Sequence, residues 1–277
     1  MAFVVDRLLP ADLDAALALS TKAGWNQVAA DWQRVLDLSP EGCLAGRQDG
    51  RVVATAGLVT VTPEIRWVCL VLVDEALRGR GYGAAMFVQV LERVRRSGTT
   101  AVGLDASDLG RPVYLKQGFV DVAPIDRWTG VLRPSAPPSN IGAFETRSAE
   151  IVAALDRDAC GGDRGPLLRH LVAEPAVRTV VSPGLGYGLY RPGRLHGHIG
   201  PLIAANDTVA KLILDQIRHA AGERTVSIDA MRTAENAALL ETAGLTVARR
   251  LTRMTLAPAR PLLMGPRIRA AESFTWG

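Results

Sequence analysis

Apolar residues along this chain follow two periods. Short β-branched runs mark strands, and apolar residues three and four apart mark helices. Residues 3–8 predict a strand. Pro10, Ala11 and Asp12 open a helix carrying Leu13, Ala16, Leu17 and Leu19 that stops before Gly24. Residues 28–38 predict a second helix with Trp32, Val35 and Leu36 on one face, ended by Ser39, Pro40, Glu41 and Gly42. Strands over residues 43–48 and 51–61 flank Asp49-Gly50, a two-residue hairpin signal. Thr62, Pro63 and Glu64 then turn the chain into a strand over residues 65–73, whose run from Trp67 to Val73 is wholly apolar.

The pattern breaks at Asp74, passes through Arg78-Gly79-Arg80-Gly81-Tyr82-Gly83 and resumes at Ala84 with helical spacing as far as Val94. Strand, basic glycine loop and helix together predict a seat for a phosphate or pyrophosphate. Glycines let backbone N–H groups converge, the helix N-terminus adds its positive dipole end, and two arginines add full charge. A P-loop requires Lys and then Ser or Thr after the last glycine, where this chain has Tyr82, Gly83 and Ala84. Gly79, Gly81 and Ala84, with Asp105 beyond, formally fit a dinucleotide fingerprint. Five residues, Asp74 to Arg78, nevertheless separate the strand from the first glycine, whereas that fingerprint puts its glycines in the turn itself.

The loop also resembles the Q/R-x-x-G-x-G/A signature of the Gcn5-related N-acetyltransferase (GNAT) superfamily, in that family's setting of strand, signature and helix. Tyr114-Leu115-Lys116-Gln117-Gly118-Phe119 resembles the superfamily's second mark, a Tyr on a short helix followed by Gly-Phe. A strand over residues 101–104, a short helix over 112–117 and strand-like and turn segments over 119–133 complete a likeness covering about residues 3 to 133. Arg133 to Asn140 is rich in proline and reads as a linker.

The remainder repeats the plan imperfectly. Helices are expected over residues 151–160 and 166–172, strands over 177–182, 185–191 and 195–203, and a helix over 207–221. Val226-Ser227-Ile228-Asp229-Ala230 echoes Val102-Gly103-Leu104-Asp105-Ala106, and Ala243-Gly244-Leu245 echoes Gln117-Gly118-Phe119, both about 125 residues later. The expected architecture is therefore α/β with mixed sheets in two tandem acyl-CoA N-acyltransferase-like domains, 1–133 and 143–277, joined by a linker at 134–142. Ile203-Ala204-Ala205-Asn206-Asp207 keeps no glycine or arginine at the junction matching the phosphate loop, and Leu240 stands where Tyr114 stands in the first copy. The second copy is expected not to bind coenzyme A in the usual way.

The resemblance implies acetyl-CoA as donor and direct attack by a primary amine of a small molecule or peptide. It implies that Val71, Leu72 and Val73 contact the pantetheine and acetyl carbonyl, with the Val73 N–H as oxyanion donor. It places Arg78, Gly79, Arg80, Gly81, Tyr82, Gly83 and Ala84 around the pyrophosphate, Ser107 where many members have an Asn that touches the coenzyme, and Tyr114 as general acid toward the leaving thiolate. Asp105, Glu64, Asp31 and His198 are candidates for the base, with a water chain as another route. Trp25, Asn26 and Trp32 are candidates for the acceptor cleft, as are Asp105 and the segment around His198, expected to face the first copy. In another class, the same loop fits a catalytically silent sensor or scaffold that binds coenzyme A.

Composition narrows the setting. The chain has 277 residues, 48% hydrophobic and 22% charged, with a formal net charge of +4 and only 5% aromatic residues. No basic-aromatic interleaving points to nucleic acid. Cys43, Cys69 and Cys160 are odd in number and far apart, and His170, His196, His198 and His219 share no ligand spacing with them, so neither a disulfide framework nor a metal site is expected. The N-terminus lacks a basic region followed by a long apolar core, and no 18-residue apolar run occurs. A cytoplasmic protein without membrane partners is expected, as monomer or homodimer.

Overall fold

Asp49 and Gly50 both take positive φ, 51° and 77°, the backbone that a two-residue hairpin joining right-twisted strands requires. The computed structural model describes residues 3–99, 101–134, 142–256 and 263–277. Its contacts divide the chain into two units, one running through Leu104 and taking in Trp276, the other spanning Asp105–Thr275.

In the first unit, β1 (Phe3–Arg7) is followed by α1 (Leu13–Lys22) and α2 (Ala29–Leu38), then by β2 (Cys43–Gln48), β3 (Arg51–Thr60) and β4 (Ile65–Val73). Helix α3 (Tyr82–Ser97) and β5 (Ala101–Ala106) complete it, β5 crossing into the second unit at Asp105. The strands pair in the order β1-β2-β3-β4-β5, antiparallel except for β4 with β5. The parallel pair is the product of a crossover through α3, as a parallel connection requires. Met86, Phe87, Val90, Leu91 and Val94 form the buried face of α3, which packs on β3 and β4. Gly98, at φ 62°, ends that helix in the left-handed conformation a C-terminal glycine adopts without penalty.

The second unit opens with α4 (Arg111–Leu115) and β6 (Phe119–Gly130). After β7 (Phe144–Glu145), helices α5 (Ala149–Cys160) and α6 (Gly165–Ala173) precede β8 (Arg178–Ser182), β9 (Gly186–Arg191) and β10 (Gly197–Ala204). Then come α7 (Asp207–Ala221), β11 (Val226–Met231), α8 (Ala234–Thr242), β12 (Leu245–Leu256) and β13 (Ile268–Ala270). The order β12-β6-β11-β10-β9-β8-β7, with β13 on β10, repeats the parallel step, here between β10 and β11. Val209, Ile213 and Ile217 of α7 join Ile199, Leu202, Ile228 and Leu240 in one fully buried core.

Instead of the strand-like and turn segments expected over residues 119–133, β6 is one continuous 12-residue strand. It pairs antiparallel with β11 on one side and β12 on the other. A strand from the first half of the sequence is thus held by two from the second half, which is why the contact division falls after Leu104 and not within 134–142. Residues 135–141 of the expected linker lie outside the described residues.

Candidate active site

The strand before the loop is bent by a bulge. Cys69 opposes Gly57 and Leu72 opposes Thr55, so Leu70 and Val71 share the single position facing Ala56. Leu70 takes φ 53°, a conformation non-glycine residues rarely adopt, and the buried Thr55 Oγ1 donates to its carbonyl at 2.8 Å. The bulge re-aims the end of β4. Asp74 N–H donates to Val53 O on β3. Successive N–H groups of a strand leave from opposite edges, so the Val73 N–H projects from the edge away from β3. Among the described residues the β4–β5 ladder covers only Ile65–Trp67 against Ala101–Gly103.

Beyond β4, Asp74 caps the turn by accepting from Ala76 N–H and Lys22 Nζ, at 3.0 and 2.9 Å. The Lys22 ammonium holds its carboxyl below the usual carboxylate range. Gly79 and Gly81 follow at φ 79° and 80°. Among the described residues, no backbone N–H of residues 79–84 has a protein acceptor, and the helical bonds begin with Ala85 N–H to Gly81 O. The N-cap of α3 is Gly81, which has no side chain to satisfy these donors. The exposed Arg78 lies 3.7 Å from Glu75, and exposed Arg80 makes no ion pair among the described residues. Tyr82 turns its ring away, stacked on Phe3 at 4.0 Å with its hydroxyl donating to Gln48, and contributes to the loop through its backbone. Donors, dipole and arginines all favour negative charge at this loop.

The corresponding junction of the second half is closed. Asn206 caps α7, its side chain accepting from Val209 N–H at 3.1 Å. The bulge is kept, with Gly200 and Pro201 facing Leu189 between the pairs Ile199–Tyr190 and Leu202–Gly188, but Pro201 has no N–H to offer there.

Tyr114 lies on α4, half-buried, its ring 6.3 Å from that of Phe119. Gly110 is close beneath it: a Cβ there would stand 3.0 Å from the ring and 3.4 Å from the hydroxyl. Ser107 forms the turn into α4, its Oγ accepting from Gly110 N–H at 3.3 Å and its carbonyl from Arg111 N–H at 2.8 Å. Trp25 and Asn26, between α1 and α2, are half-buried.

Three expected acceptor-site residues are enclosed. Trp32 is 2% exposed, and its indole N–H donates to Ser20 Oγ at 3.3 Å, which makes it a core side chain without surface for a ligand. The buried Asp105 carboxylate accepts from Arg253 Nε and Nη2 at 2.9 and 3.0 Å. Burial pushes that carboxyl up, and Arg253 draws it back. His198 is also buried, and burial lowers it to about 4, so it is neutral at pH 7. Its Nε2 lies 2.6 Å from Glu272 O, which can only accept, so Nε2 carries the proton and Nδ1 accepts from Ser227 Oγ at 3.0 Å. Of the other base candidates, Glu64 is exposed and accepts from Thr62 Oγ1 at 3.0 Å, and Asp31 is half-buried and paired with Arg34 at 3.0 Å.

Thr55, Arg253 and Arg127 carry no local signal and were not among the expected site residues. The arginines are detectable through the repeat. Asp229, the echo of Asp105, is buried and bound by Arg127 Nε and Nη2, both at 2.7 Å, and Arg127 and Arg253 lie as far apart in sequence as the aspartates, to within two residues.

In the first copy a bulged strand thus ends at a glycine-arginine loop on a helix N-terminus, beside a parallel neighbour paired over three positions among the described residues, an α/β arrangement. Residues 14–119 match the model of the acetyltransferase (GNAT) family, and residues 152–265 match a second acetyltransferase (GNAT) domain model. The chain belongs to the GNAT superfamily, as two domains in tandem. It is 26% identical over 233 residues to the uncharacterized N-acetyltransferase YitH of Bacillus subtilis, covering 80% of each chain. It is 25% identical over 213 residues to the holothin acyltransferase of a Pseudoalteromonas species, covering 74% of this chain and 71% of that one. A putative acetyltransferase from Pyrococcus horikoshii has the same fold, with TM-score 0.87 and 23% identity over 99% of this chain and 96% of that one. Among the described residues, no helix is long and apolar enough to cross a membrane, and no cluster of three His, Cys, Asp or Glu side chains is disposed to hold a metal ion.

Proposed function

We propose that the chain is an acetyl-CoA-dependent N-acetyltransferase acting on a primary amine of a small molecule or peptide, with one donor site, in the first copy. The observation that carries this reading is the run of N–H groups over residues 79–84 that have no acceptor among the described residues, preceded by Arg78 and including Arg80, at the N-terminus of α3. Those groups and the two arginines fit the pyrophosphate of the donor. Val71, Leu72 and Val73 line the edge of β4 for its amide-bearing arm, with the Val73 N–H toward the thioester carbonyl. Such a donor contributes about 3 kcal/mol in other acyl transfers.

In the reaction the amine nitrogen attacks the carbonyl carbon, the C–N bond forms and the C–S bond breaks. Tyr114 gives its phenolic proton to the departing sulfur, and the amine proton passes to solvent directly or through water. Transfer through a cysteine is disfavoured by the thiols themselves: burial pushes Cys43 and Cys160 up to about 12 and Cys69 well above its ordinary value, and a thiol in that state is a poor nucleophile. Trp25 and Asn26 are proposed for the acceptor side, and Ser107 supports the turn that presents Tyr114. Trp32, Asp105 and His198 are left out of it because they are enclosed.

A thiol-release assay across an amine library tests this reading. The expected result is amine-dependent release that Tyr114→Phe reduces without weakening donor binding. Donor binding with no acetyl transfer to any amine would instead identify the silent coenzyme A sensor.

A further inference from the structure

The two copies treat the edge of their bulged strands differently. In the first, the end of β4 beyond Trp67 turns an edge away from β3. In the second, β10 pairs with β11 over Gly197–Ile199 and then with a segment from the C-terminal end of the chain. Leu202 opposes Ala270 and Ile203 opposes Ile268, Ala204 N–H donates to Arg267 O at 2.9 Å, and Ala271 N–H donates to Asp229 O on β11 at 2.8 Å. The segment thus bonds to both strands where they part.

Side chains and packing fix it there. Glu272 is fully buried, with its carboxylate on Arg191 at 2.9 Å and its carbonyl on His198 at 2.6 Å. The Arg127 guanidinium, held by Asp229, lies 4.4 Å from the centre of the Phe274 ring, and Ala271 packs with Ile125 and Leu251. Gly200 has no room for a side chain, since a Cβ would meet Ala271 O at 2.3 Å and Glu272 O at 2.5 Å.

We infer that the parted strands of the second copy have become a binding site for an extended peptide, occupied by the chain's own residues 267–274. An extended peptide offers alternating N–H and C=O groups to a free strand edge, and the secondary amides of a pantetheine arm would need the same edge. The comparison with that arm rests on the donor site proposed for the first copy; the peptide site itself rests on the contacts above. With Asn206 capping α7 and Pro201 in the bulge, the second copy retains the groove but has exchanged the occupant.

Hydrogen exchange read by mass spectrometry on the full chain tests the inference. Ala271→Pro removes the bond to Asp229 O. The expected result is at least tenfold faster exchange over residues 197–204 and 226–231, with residues 65–73 unchanged and protection restored by a synthetic peptide of residues 266–277. Phe274→Ala, which removes no backbone bond, is expected to give about threefold faster exchange over the same segments and decides the matter if the proline variant does not fold. Unchanged exchange there in both variants, or protection restored by acetyl-CoA and not by the peptide, overturns the inference. If acetyl-CoA protects neither residues 65–84 nor residues 197–204 while the peptide result holds, it is the donor site of the first copy that fails.

Discussion

Asp105 and Arg253, 148 residues apart, form a buried two-bond ion pair, and Asp229 and Arg127 repeat it with the halves of the sequence exchanged. Each aspartate lies in the second half of the strand that follows a crossover helix, and each arginine lies on the long strand that closes the other copy. Removing one partner of such a pair leaves a buried charge uncompensated, typically at about 3 to 5 kcal/mol. Asp105→Asn is therefore expected to lower unfolding stability by roughly that amount. Asp105→Leu with Arg253→Met is expected to recover most of it, a coupling that a double-mutant cycle in urea measures. Because Asp105 is enclosed, activity of the asparagine variant well below its melting point should stay within a few-fold of wild type. A collapse of turnover at intact stability would return Asp105 to the list of bases.

Thr55 holds the bulge of β4 by donating to Leu70 O at 2.8 Å while fully buried. Thr55→Val keeps the shape and leaves that carbonyl without this donor, at a cost of about 1–3 kcal/mol. The expected outcome is a fall in kcat larger than any change in donor affinity, since the bulge aims Val73 without forming the phosphate seat. Steady-state kinetics beside calorimetry separates the two.

Tyr114 stands above Gly110, half-exposed, with its hydroxyl near the turn formed by Ser107. As general acid its removal should cost about 10²-fold or more in turnover. Tyr114→Phe is expected to show that loss with donor affinity within about twofold of wild type, by titration of acetyl-CoA. Unchanged turnover would remove it from the mechanism.

His198, lowered by burial to about 4, titrates near 6.5 once unfolded. The unfolded chain therefore binds its proton more readily. The stability this histidine contributes is fully present above pH 6.5 and is lost as pH falls from 6.5 toward 4, on the order of 3 kcal/mol over that range. Burial also lowers the half-buried His196, which adds a smaller part of the same slope. Urea unfolding of His198→Gln between pH 7 and pH 4 should give a flatter profile than wild type, and an equally steep one would show that His198 is not held neutral by the fold.

The parts of this protein that were legible in its sequence are local ones. The Asp49-Gly50 hairpin, the apolar face of α3 and the glycine loop each need only neighbouring residues to declare themselves, because turn chemistry and helical period act over a few positions. The enclosure of Trp32 was less evident, since an amphipathic helix shows which face is apolar but not how deeply it is covered. The pairing of β6 with β11 and β12 left no mark in the pattern of residues 119–130, because period-two alternation does not name a strand's partner. The three-residue β13 is too short for any period. Its place depends on Gly200, Arg191 and His198, which lie far from it in sequence.

The proposed function puts one acetyl-CoA on each chain, in the loop of the first copy. Calorimetric titration of the full chain with acetyl-CoA counts the sites, with Gly81→Val as the companion, since Gly81 at φ 80° admits a β-branched residue only with strain. One site per chain is expected in the wild type and none in the variant. No binding to the wild type, two sites per chain, or undiminished binding to Gly81→Val would contradict it.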